Sequence, residues 1–266
     1  MTTTSAPAAN PAAPSPRPLP RWGGFTGTLL GIELRRVLRN RRTLVFTFVF
    51  PGMMLLAFGS QSDWNEPVGS GNVAAYILVA MALYGASMIA ASTGASVAIE
   101  RAQGWSRQLR LTPLRPTAYI LAKSLCALSM GVVAVLVVNL IGIAQGRARM
   151  PMGAWVACGL LTVVCTLTFA ALGVFVGYLV PGETAMQVLG PSMAALAFLG
   201  NVFIPIPEGT LMWTVSAFTP MFGVAEITRY PLTGDLPWYA VVNAVVWLAV
   251  FVVGAAWRMS RDTARV

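Results

Sequence analysis

The chain has 266 residues, 56% of them hydrophobic and only 10% charged, and it contains no histidine. Soluble domains are about a quarter charged, so this sequence lacks the polar side chains to cover a water-facing surface, and it predicts a polytopic membrane protein. The formal charge of +9 sits beside apolar runs rather than among stacking aromatics, which argues against nucleic-acid binding; without histidine, the commonest general base and metal ligand are missing.

Residues 1–22 form a Pro/Ala/Ser/Thr tail with no apolar signal-peptide core. They predict a disordered cytoplasmic tail. Residues 23–42 then mix Leu29, Leu30, Ile32, Leu34, Val37 and Leu38 with Glu33, Arg35, Arg36, Arg39, Arg41 and Arg42. At helical spacing the apolar side chains can face lipid while the arginines reach headgroups or water. This predicts an amphipathic helix lying in the membrane interface.

Six apolar runs follow, each near the roughly 20 residues needed to span a bilayer. They lie at about 43–60, 73–98, 117–144, 154–180, 185–204 and 238–257. The first is short and interrupted by Pro51-Gly52; the fifth is bounded by Pro181-Gly182 and Pro205. With the N-terminus inside, fifteen of the eighteen basic residues fall in inner segments; only Arg147, Arg149 and Arg229 fall outside. The bias places both termini, including the tail 258–266, in the cytoplasm. Residues 205–237 are apolar and aromatic, yet Pro205, Pro207, Pro220, Pro231 and Pro237 break them repeatedly. Short re-entrant helices in the outer leaflet would satisfy such a backbone.

Polar groups within the runs point to helix packing. Asn139, Asn201 and Asn243 fall in or near spans, where such groups bond neighbouring helices. Ser87, Ser92, Thr93 and Ser96 repeat among alanines in the second run, and Gly173-x-x-x-Gly177 lies in the fourth. Both patterns allow close backbone approach. Cys126, Cys158 and Cys165 read as small buried residues without metal-ligand spacing. No acidic or basic residue falls mid-span on these boundaries. Lys123, the only lysine, reads as a side chain snorkelling to the cytoplasmic interface.

The inner loop from Glu100 to Tyr119 carries Arg101, Arg107 and Arg110 on one helical face, with Trp105 and Leu109 on another. Two readings fit these residues. A compact amphipathic helix suits docking into a groove on a soluble partner; alternatively the arginines only set topology and bind anionic headgroups.

Taken in order, these features resemble the membrane subunit of the ABC type-2 transporter family. The matching pieces are Glu33-Leu-Arg-Arg and Leu38-Arg-Asn-Arg-Arg before a span bearing Phe50-Pro-Gly, and Glu100-Arg with Gly104 and Leu109-Arg-Leu-Thr-Pro-Leu114 after the second span. Tyr119, Lys123 and the Pro-broken outer segment complete the set. The resemblance implies an all-α domain over 23–257 that forms one half of a pore, paired with a second copy or a related permease. It implies two separate ATP-binding subunits docking from the cytoplasm. Glu100, Arg101, Gly104, Trp105, Arg107, Leu109, Arg110, Thr112, Pro113 and Leu114 would then form the ATPase-coupling site, and 23–42 the interfacial connecting helix. ATP and Mg would be bound by the partner, since the sequence has no Gly-x-x-x-x-Gly-Lys-[Ser/Thr].

The expected function is therefore a non-catalytic permease of an ATP-driven exporter in the cytoplasmic membrane, moving a hydrophobic or amphipathic molecule such as a drug or lipid. The alternatives are an ATP-independent secondary transporter, which predicts a midplane ionisable residue and internal repeats, and a membrane assembly protein.

Overall fold

A computed structural model describes residues 26–39, 64–104 and 116–262, with Val45, Val49 and Met53 singly. Apart from those three residues, the run at 43–60 lies outside this description. The described elements are α1 (Gly27–Arg39), a two-residue hairpin β1–β2 (Pro67–Val68, Gly71–Asn72), α2 (Val73–Ala102), α3 (Pro116–Gln145) and α4 (Met152–Leu179). They continue with α5 (Thr184–Leu199), α6 (Leu211–Ala217), α7 (Pro220–Thr233) and α8 (Trp238–Asp262).

Four of these helices, α2, α3, α4 and α8, are long and apolar enough to cross a membrane. Helix α2 is the axis of the bundle, with 78% of its most apolar window buried, against 17% for α8. It packs chiefly on α4 and α3. The cause is its run of small residues: Ala86, Ala90, Ala91 and Ala95 are fully buried. A Cβ at Gly94 would strike the Ala170 carbonyl, and one at Gly173 would strike the Ala91 carbonyl. Gly177 is close as well, its would-be Cβ 3.2 Å from the Ala95 carbonyl oxygen. Backbones this near exclude any larger side chain at the α2–α4 seam.

Helix α5 covers less than the run at 185–204 suggests. Its 16 residues rise about 24 Å at 1.5 Å each, short of the roughly 30 Å hydrocarbon core. It stops because Asn201 takes a left-handed conformation, φ 60°. The Asn201 side chain then accepts from Ile206 N (2.8 Å) and donates to Glu226 (3.2 Å), turning the chain toward α7. The segment after α5 folds into two short helices, α6 and α7, as its prolines dictate. Thr210 caps α6 by accepting from Trp213 N, 3.1 Å; Gly234, φ 79°, closes α7 in the left-handed region that suits glycine. Asn243 on α8 holds both, accepting from Gly223 N (3.2 Å) and donating to the Ala217 carbonyl (2.8 Å).

Arg229, expected in an outer loop, instead lies inside α7 and is buried. It donates to the Val202 carbonyl (3.1 Å), and its guanidinium rests 4.1 Å from the Tyr76 ring centre. Glu226, one turn earlier on α7, stands 3.9 Å from the guanidinium, so a carboxylate, a carbonyl and an aromatic face receive the arginine inside the bundle. The same end of the bundle is tied by Asn72, which donates to the Arg147 carbonyl and accepts from Arg149 N, both at 2.9 Å.

Candidate functional site

The opposite end of the bundle, where α2 and α4 close and α3 begins, is held by charge. Lys123 does not snorkel. It is buried, and its ammonium donates to Glu33 (2.8 Å), to Ser96 (2.8 Å) and, in a short ion pair, to Glu100. An apolar surrounding leaves a lysine no water; three acceptors, one for each ammonium proton, replace it.

Glu100 is the hub. Its Oε1 receives Lys123 and the Arg36 guanidinium, the latter at 2.7 Å, and its Oε2 accepts a short hydrogen bond from the Tyr119 hydroxyl. Ser96, one turn earlier on α2, lies 3.1 Å from the same Oε1. Two carboxylates, Glu33 and Glu100, thus face two cations, Lys123 and Arg36, and the cluster is neutral as a whole. Such balance is what lets ionised groups persist in a low-dielectric interior.

The cluster also decides how α1 sits. Glu33 is the buried residue of α1, and Leu30, Leu34 and Val37 share its face, packing against Cys126, Met130 and Ala134 of α3 and Ala86 and Ile89 of α2. The sequence expectation had these leucines facing lipid. They face the bundle, because Glu33 must reach Lys123: Leu30 (i−3) and Val37 (i+4) share its face, and Leu34 lies one turn after Leu30. Ile32 and Leu38 remain exposed, at 59% and 50%. Arg35 and Arg39 are exposed; Arg41 and Arg42 lie outside the described residues.

Arg101, beside Glu100, reaches the other way. Its guanidinium donates to the Gly177 carbonyl (3.2 Å) and the Tyr178 carbonyl (3.5 Å), and lies 4.9 Å from the Tyr178 ring centre. A cation on the last carbonyls of α4 is placed favourably against the helix dipole. Two adjacent residues therefore tie the last turn of α2 to α1, α3 and α4. The chain then leaves through Gln103 and Gly104, whose φ of 72° turns it away. Trp105, Arg107, Leu109, Arg110, Thr112, Pro113 and Leu114 lie outside the described residues, which resume at Pro116, one helical turn before Tyr119 and two before Lys123. The ionic cluster sits at both roots of that loop.

A family model described as "ABC-2 family transporter protein" matches residues 65–258. This chain belongs to the ABC-2 transporter family. It is also similar to a Bacillus subtilis (strain 168) protein named "Putative transport permease YvfS", with 25% identity over 228 residues, 82% of this chain and 90% of the relative. The chain is thus a membrane subunit of a transporter, a multi-pass permease. The match begins after α1, so the acid that α1 contributes comes from outside the matched region.

Sequence reading singled out Glu33, Arg36, Glu100 and Lys123 separately and missed that they meet. Ser96 was read only as a packing residue. One signal was available: a single lysine in an apolar run requires acids, and four stand near apolar segments on the same side, Glu33, Glu100, Glu183 and Asp262. Among the described residues, no cluster of histidine, cysteine and acidic side chains could hold a metal ion.

Proposed function

We propose that this ABC-2 permease works in an ATP-driven exporter and takes its driving motion through the loop 100–116, docked on a separate ATP-binding subunit. The observation that carries this reading is the ionic cluster at the loop's roots. Displacement of the loop acts first on Glu100 and Arg101, and through them on α1, α3 and α4. Glu100 is buried, so its part is to transmit; docking falls to the residues beyond Gly104. Two permeases, this chain with a second copy or a related one, would form the path between them. The loop end faces the cytoplasm, α1 lies along that interface, and α6–α7 re-enter the outer leaflet. The predominance of apolar side chains suits a hydrophobic or amphipathic cargo.

The buried carboxylates and lysine are the feature that favours an ATP-independent, ion-coupled alternative. Their place, within one turn of the end of α2, and their mutual neutralisation weigh against it. The two readings separate in one experiment. The double substitution Arg107→Glu/Arg110→Glu is expected to leave membrane insertion unchanged, to weaken co-purification with the ATP-binding subunit, and to uncouple ATP hydrolysis from transport. Undiminished docking and transport in that variant, or transport by the chain alone without ATP, would overturn the proposal.

A further inference from the structure

A cavity of about 290 Å³ opens between α2, α3, α4 and α8. Its long walls run from Leu167 to Tyr178 on α4 and from Leu248 to Met259 on α8. Each wall spans twelve residues, eleven steps of 1.5 Å or about 16 Å, close to the depth of one hydrocarbon leaflet, half of roughly 30 Å. The lining is apolar except near Lys123, Ser124 and Tyr178, which gather at the loop end. Ile120 and Val252 on the walls are exposed, at 38% and 50%, so the space opens through the apolar flank of the bundle.

Charge stands at the same mouth. Arg101 holds the Tyr178 ring and the last carbonyls of α4. Arg258 and Arg261 flank Met259 on the last turns of α8; both are exposed, with their guanidinium carbons 5.4 Å and 4.0 Å from the Trp257 ring centre. Tryptophan and arginine at a helix end mark the headgroup level of a membrane.

We infer that this groove binds one acyl chain of an anionic membrane lipid, with its headgroup beside Arg258 and Arg261. The length fits one leaflet, the walls are hydrocarbon, and the cations stand where a phosphate would emerge. Lys123 belongs both to the groove wall and to the ionic cluster, so an acyl chain in the groove packs against the residue that joins α1, α2 and α3. The lipid is thereby a structural partner of the cluster, whatever the cargo. This inference does not depend on the ATPase, and its test omits ATPase and nucleotide.

The full chain is placed in nanodiscs of phosphatidylcholine containing phosphatidylglycerol whose acyl chain bears a diazirine; after photolysis, labelled peptides are mapped by mass spectrometry. Label is expected on the groove faces of 167–178 and 248–259. Ala256→Trp, at an exposed position on the groove wall, is expected to abolish it, whereas Val250→Trp, pointing away on the same helix, is expected to retain it. With each basic residue near an anionic surface contributing about 1 kcal/mol, Arg258→Gln/Arg261→Gln should lower the preference for phosphatidylglycerol over phosphatidylcholine probes about fivefold per arginine. Label no stronger on the groove faces than on outward residues such as Val250, groove label that survives Ala256→Trp, or exclusion of the probe by a cross-linked second copy would each overturn the site. Equal labelling by both lipids in the unsubstituted chain would overturn the anionic headgroup.

Discussion

Lys123 shows how much one side chain determines in a medium without water. Its three bonds fix the depth of α1, the rotation of α3 and the ionisation partners of two glutamates. Removing it alone takes from Glu33 the cation it faces and leaves Glu100 with Arg36, Tyr119 and Ser96. Lys123→Met is therefore expected to destabilise the fold by about 3–5 kcal/mol, the usual cost of an unpaired buried charge. Thermal unfolding in detergent measures it. Adding Glu33→Gln to Lys123→Met should recover part of the loss, since the second charge is removed with its partner; Glu33→Gln alone should not stabilise. A purely additive pair would show that Glu33 and Lys123 do not interact. The legibility of this site was partial for a plain reason. The residue types were visible, and so was their order along the chain. Their meeting depends on α1 folding back over 90 positions to Lys123, and no local periodicity records that.

At the scale of the helix, the α2–α4 seam is the tightest contact in the bundle. The Gly173-x-x-x-Gly177 spacing and the small residues of α2 were each readable in the sequence as close-packing surfaces, while their pairing, Gly173 and Gly177 against Ala91 to Ala98, was not. Gly173→Leu places side-chain atoms on the Ala91 carbonyl, where backbone must yield. It is expected to cost at least about 1–3 kcal/mol, as overpacking does, and to broaden or abolish the monodisperse peak in size-exclusion chromatography. Gly153→Ala, whose Cβ meets open space, is the control and should behave as the parent chain. The four long helices were legible because their apolar runs exceed a bilayer's thickness. The end of α5 was not, because it is set by the left-handed turn at Asn201, and an asparagine in an apolar run reads equally well as interhelical glue. The faces of α1 were misassigned for a related reason: amphipathicity locates a helix's apolar stripe but not whether lipid or protein lies against it.

The whole molecule has two chemically different ends. One is closed chiefly by hydrogen bonds to backbone groups, with Ser70 N donating to the Leu232 carbonyl (2.8 Å) and the Asn72 side chain bridging the Arg147 carbonyl and Arg149 N. The other is closed by ion pairs. A single-cysteine scan distinguishes their sides. In cells, a membrane-impermeant thiol reagent is expected to label Gly209→Cys from outside, and to label Gln103→Cys and Ser260→Cys only after permeabilisation. The native Cys126 and Cys158 are buried and should stay silent; replacement of all three native cysteines by alanine removes any contribution from Cys165. Labelling of Ser260→Cys in intact cells would reverse the orientation.

Glu100 and Arg101 hold the same helical turn from opposite flanks. A small tug on that turn is resisted by short-range contacts on three neighbours at once, and these do not stretch gradually. They either hold or let go together, since packed interfaces have discrete arrangements rather than a continuum. The mechanical character that follows is that of a ratchet tooth rather than a spring. Under the coupling proposed above, a small displacement at the end of α2 would be held, and only a stroke large enough to release every contact would move the bundle.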